Sequence, residues 1–169
     1  DRADRCRRHV LFVKEQQYLV LVDEFVAKRG MASALQWNIH SWGAFETDGE
    51  RAFWTERGNS TLYGHVMHNR AGFFSLAEGW DPPPMRGKDS AQWLQQYHLR
   101  FTPNGIEVPK RNLGVVLCWD HAGWSKPAVE THLHGDTEVA QVGDDLVLVN
   151  GGTGISYREL VSDAVVWMS

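Results

Sequence analysis

An antiparallel all-β sandwich of about a dozen strands, interrupted by one long proline-rich loop, is the fold this sequence predicts. Three observations carry that expectation. Runs rich in Val, Leu, Tyr, Phe and Trp recur along the chain, many with strict period-2 alternation. Gly, Asp and Pro clusters separate them at short intervals. No stretch sustains the 3.6-residue periodicity of an amphipathic helix.

Arg8 to Lys14 and Tyr18 to Asp23 are the first two strands, with Glu15-Gln16-Gln17 as the hairpin connection. The run Tyr18-Leu19-Val20-Leu21-Val22 is apolar throughout, which predicts a central strand covered on both faces. From Ser33 to Trp42 the pattern alternates. Leu35, Trp37 and Ile39 face the core, and Gln36, Asn38 and His40 point away from it. Asp48-Gly49 is a type I′ turn signal before the strand-like Arg51 to Thr55. Thr61 to Met67 is also strand-like. That argues against a helical turn bringing His65 and His68 together.

The loop comes next. Gly79-Trp80-Asp81-Pro82-Pro83-Pro84 lacks the donors a central strand or helix interior needs. It continues through Gly87 to Gln92, with a short helical turn expected near Ser90 to Trp93. Tyr97, Leu99 and Phe101 then alternate with Gln96, His98 and Arg100. Strands are expected at Asn112 to Asp120, Val129 to His134, Glu138 to Val142, Leu146 to Val149 and Ala164 to Trp167. Gly143-Asp144-Asp145 supplies a tight turn, and Gly151 to Gly154 reads as another rather than as a phosphate-binding loop.

Residues 1–169 suit a single domain with a sizeable core. With 43% hydrophobic and 22% charged residues the chain has ordinary globular composition. Its net charge of −4 offers no broad basic surface to nucleic acid. No apolar run is long enough to span a bilayer as a helix. Cys6 and Cys118 read either as a disulfide or as two unpaired thiols, and a core of this size does not require the bridge. The 8 Trp and 8 His are the unusual feature. Tryptophan fills sandwich cores, but it also stacks on sugar rings.

Arg8-His9-Val10-Leu11-Phe12-Val13-Lys14, followed by Tyr18-Leu19-Val20-Leu21-Val22-Asp23-Glu24, resembles the heparinase II/III family of polysaccharide lyases. Leu35-Gln36-Trp37-Asn38-Ile39-His40-Ser41 is similar to that family's aromatic-x-x-His-Ser segment. Gly79-Trp80-Asp81-Pro82-Pro83 with Gln92-Trp93 and Tyr97-His98-Leu99 resembles a further segment, and Val142 to Leu146 suits its closing hairpin. The resemblance implies an upstream α/α toroid domain followed by a β-sandwich. It also implies β-elimination on uronic-acid-containing polysaccharides in a periplasmic or extracellular setting. The family's catalytic acid and base, and its His/Asp/His metal site, have no match here. The chain is therefore expected to be the C-terminal β-sandwich of a larger protein, inactive by itself and without a cofactor. Any divalent metal would belong to the parent protein. The expected partners are the toroid and an acidic polysaccharide.

His40, Trp42, Trp93, His98 and Arg100 are the candidate substrate-binding or docking residues. His40 and His98 offer imidazole donors, and Arg100 offers a guanidinium fork that matches a uronate. The alternatives are solvated strand histidines and a cross-strand ion pair. If the polar faces do form one surface, His40, His98 and Arg100 must converge on a single sheet or rim. Trp80, Trp93 and Trp124 flank loops and suit stacking or docking, while Trp37, Trp119 and Trp167 suit the core. His132 and His134 share one strand face and would need a third ligand, Glu130 being nearest, to hold a metal. A free-standing carbohydrate-binding module, or a structural domain of a cell-envelope protein, is the competing reading of the whole chain.

Overall fold

The computed structural model describes residues 3–29, 36–49, 51–67, 71–80, 95–104, 110–151 and 153–169. Among these residues there is no helix, and the strands form antiparallel sheets, as the alternation predicts. Leu35, His68, Trp93, the proline run and the helical turn expected near Ser90 lie outside the described residues.

The largest sheet has six strands. β1 (Ala3–Val13) and β2 (Tyr18–Ala27) form the first hairpin, in register from Val13 opposite Tyr18. β2 then pairs with β9 (Lys110–His121), β9 with β6 (Ser60–Val66), β6 with β5 (Ala52–Arg57), and β5 with β4 (Phe45–Asp48). Every residue from Arg111 to Cys118 is buried, so β9 is covered on both faces; β2 is covered on both as well, with Tyr18, Val20 and Val22 in one core and Leu19 and Leu21 packed against the other. β2 is an interior strand, one in from the edge, as its apolar run predicts. The Asp48-Gly49 turn departs from expectation. Asp48 pairs with Ala52, so the connection spans 49–51 and is longer than the two-residue type I′ turn.

Two smaller sheets flank the large one. β3 (Trp37–Ser41), β8 (Tyr97–Pro103) and β7 (Gly72–Glu78) form a three-stranded sheet with β8 in the middle. Trp37, Leu99 and Phe101 from it pack on Phe45, Phe53, Leu113, Val115 and Leu117 of the large sheet. β10 (Val129–His134), β11 (Thr137–Val142), β12 (Asp145–Asn150) and β15 (Val166–Met168) form the four-stranded sheet. Its Ala140, Val142, Val147 and Val149 meet Tyr18, Val20, Val22, Val116 and Cys118. The even-numbered residues of β2 and β9 thus face one small sheet, and odd-numbered residues of β9 face the other. The sandwich is consequently doubled around one shared sheet.

A further hairpin, β13 (Ile155–Tyr157) and β14 (Leu160–Ser162), closes a small third core over Val139 and Leu148. The sequence pattern does not disclose β4, β7, β13 or β14. Three or four residues give too few periods to read, and β7 exposes Phe73 and Leu76 beside its buried positions. Between the layers, the Tyr18 hydroxyl donates to Asp145 at 2.8 Å. Burial and that neighbouring carboxylate raise the phenol well above its ordinary range.

Trp37 is 2% exposed and belongs to the core as expected, whereas Trp119 and Trp167 are half-buried. Trp119 stacks on Phe12 with ring centroids 6.2 Å apart. Trp80 and Trp124 are exposed. Cys6 and Cys118 are both free thiols, the first exposed on β1 and the second buried in β9.

Candidate functional site

The end of the three-stranded sheet nearest β5 gathers most of the predicted residues. His40 and His98 are direct cross-strand partners, and their rings lie 4.2 Å apart between centroids. Arg100 sits one pair further along the same face, opposite Asn38 on one side and Ser75 on the other. His40, His98 and Arg100 therefore share one face of one sheet. Period-2 geometry makes this inevitable once β3 and β8 pair in that register.

The polar face is not uniformly solvated. His40 is exposed, Arg100 is half-buried, and His98 is buried. His98 Nε2 donates to the Gly79 carbonyl, which ties this imidazole to the end of β7 and fixes where the proton sits. The expectation of a solvated His98 is corrected on this point. His98 is 3% exposed, and the Gly79 carbonyl supplies the acceptor for its ring.

Trp42 follows β3 directly and is held by its neighbours on either side. The Gly43 amide donates to Ser41 Oγ at 3.0 Å, and Ser41 Oγ lies 3.0 Å from Thr55 Oγ1. Thr55 Oγ1 donates to the Gly43 carbonyl at 3.0 Å, so the Ser41 hydroxyl is the donor to Thr55 and the ring of bonds closes. A Cβ on Gly43 would stand 2.1 Å from the Glu56 carbonyl oxygen, so only glycine permits this approach to β5. The network brings Trp42 against Arg57, the last residue of β5, whose guanidinium carbon lies 4.0 Å from the indole centroid.

His40, Ser41, Trp42, Arg57 and Gln96 line an open groove of about 390 Å³. A smaller depression of about 210 Å³ lies on the other side of His98, between Phe45, Leu76, Glu78 and Tyr97. The first groove offers imidazole, hydroxyl, amide and guanidinium groups beside an indole. This chemistry suits a hydroxyl-rich ligand that has apolar faces. Arg57 is the one permanently charged side chain among its described lining residues.

Of the predicted site residues, His40 and Trp42 line the groove. His98 forms the wall behind His40, and Arg100 lies on the same face but outside the lining. Trp93 lies outside the described residues. Sequence reasoning missed Arg57. It stands at a strand end before Gly58-Asn59, a turn signal that locates the residue without disclosing that its strand returns beside Trp42.

His132 and His134 are placed differently. Both are exposed and approach Tyr157, at centroid distances of 6.2 and 5.3 Å. Among the described residues no group of three or more His, Cys, Asp and Glu could hold a metal ion. Tyr157, Leu148, Leu160 and Trp167 instead border a separate apolar groove of about 350 Å³.

The chain matches no protein-family model and no curated protein.

Proposed function

We propose that this chain is the C-terminal β-sandwich of a heparinase II/III-like lyase, which acts on uronic-acid-containing polysaccharides by β-elimination. In this reading the sandwich supports an α/α toroid and lends one wall to the cleft. The supporting observation is the convergence of His40 and His98 in a cross-strand pair beside the Trp42 groove. Two of the segments that resemble the family, those carrying His40 and His98, meet there, while Arg8 to Glu24 and Val142 to Leu146 lie in other hairpins. Elimination also needs a base for the proton next to the carboxylate and an acid for the leaving oxygen. Among the described residues the groove presents no paired acid and base at hydrogen-bonding distance from one reacting position, and this reading assigns the chemistry to the toroid. Binding and orientation are left to this chain.

An ultraviolet assay for the unsaturated uronate product tests the assignment. The 169-residue chain alone should form no product from heparin, heparan sulfate, alginate or hyaluronan. Sustained product formation would overturn it. A free-standing carbohydrate-binding module is the second reading, and the exposed Trp80 and Trp124 favour it. It predicts tight sugar binding that is indifferent to substitutions at His40 and Trp42.

A further inference from the structure

We infer that Arg57, held by Trp42, is the anion-recognising element of the groove and takes the carboxylate of a uronate ring. This rests on the reading of the groove as a polysaccharide wall, and it deepens that reading by naming the charged contact. Four observations carry it. The guanidinium lies over the indole at 4.0 Å, so its orientation is set before any ligand arrives. No carboxylate among the described residues pairs with Arg57, whereas Arg5 and Arg8 are paired with Glu24 and Asp23. Arg57 shares the lining with His40, Ser41 and Gln96, whose polar groups suit sugar hydroxyls. Trp42 itself remains 51% exposed, which leaves apolar surface for a ring beside the guanidinium.

The geometry separates roles among the candidates. A guanidinium lying over an aromatic ring keeps its N–H donors pointing outward around its edge, where a carboxylate is bound by two parallel hydrogen bonds. Lysine at this place would bring charge without the fork or the stacking. Arg57 is therefore the residue that distinguishes an acidic ring from a neutral one, while His40 and Gln96 serve either. The Ser41–Thr55–Gly43 ring of hydrogen bonds keeps the strand carrying Trp42 against the strand carrying Arg57.

The test is a calorimetric titration of the full chain with oligouronates and with the same oligosaccharides carboxyl-reduced to neutral sugars. The wild type should bind the acidic form about tenfold or more tightly than the neutral one, the size of one charge-assisted pair. Arg57→Gln should abolish that preference, so that the acidic and neutral forms bind alike, and Arg57→Lys should recover only part of it. Arg57 is exposed at a strand end, so circular dichroism of the variants should match the wild type. If Arg57→Gln keeps the full preference while His40→Ala or Gln96→Ala weakens binding to both sugars, the groove binds saccharide but the inference about Arg57 is wrong. If the wild type binds neither form, the groove reading and the inference fall together.

Discussion

Strand β9 and strand β1 belong to the same six-stranded sheet, yet they live in opposite surroundings. Along β9 the sheet is covered on both sides, and every residue from Arg111 to Cys118 is buried. Along β1 only one face is covered. Leu11 and Val13 pack inward, while Val10 and Phe12 on the other face are 59% and 60% exposed. The strands differ in composition as well: β9 is apolar from Leu113 to Trp119, whereas β1 carries Arg5, Arg7, Arg8 and His9 before its apolar end at Val10 to Val13. Burial therefore follows both the side chains of the strand and the small sheet that lies above it.

Three measurements sharpen this contrast. The largest effect is expected in thiol reactivity. Burial pushes the Cys118 thiol up to about 11, and a strand buried on both faces is expected to open only in global unfolding. Cys6, exposed on β1, should react with a thiol reagent within the native state, and Cys118 should lag by ~10³-fold or more. Comparable labelling rates would show that β9 opens locally and that the double covering does not protect it.

Substitution comes second. Trp37→Ala removes an indole packed between the three-stranded sheet and Phe53, and denaturant titration should register a loss of about 3–5 kcal/mol. Phe12→Ala, on the uncovered face, should cost below about 1 kcal/mol, mainly through its stacking on Trp119. Gln36→Ala, exposed beside Trp37, should be nearly silent. Equal effects from Trp37 and Gln36 would mean that β3 is displaced by one residue.

Acid sensitivity is a smaller effect than the loss of Trp37. Burial, with Lys126 nearby, lowers the His65 imidazole to about 4 from an ordinary 6.5. The unfolded chain thus takes up this proton at a higher pH than the folded one. The associated stability is fully present above about 6.5 and is lost as pH falls toward 4. Allowing for the partial solvent contact of His65, the change should be about 1–2 kcal/mol. His65→Gln should flatten this limb of the stability profile. An unchanged slope would place the acid response elsewhere.

The legible part of the molecule is the part with local periodicity. Alternation alone puts Trp37 and Gln36 on opposite faces, and the core position of Trp37 follows from it. Alternation also puts His40 and His98 each on a polar face, and their convergence needs those two strands to be neighbours in the register that pairs them. The His98 acceptor was not legible, because a backbone carbonyl at Gly79 carries no residue-type signal. Neither was Arg57, whose position depends on the return of β5 and on a close approach that only Gly43 allows.

By itself the sequence determined an all-β chain, the faces of its longer strands, and the residues with groove chemistry. These are consequences of a two-residue repeat and of side-chain type, which act within a few residues of one another. The tertiary structure decided that one sheet serves two partners, that β9 is covered more completely than β2, and that Trp42 meets Arg57. Those outcomes depend on which distant strands pair. Many pairings satisfy the same alternation, and the one that prevails is selected by the apolar area it buries and the hydrogen bonds it completes.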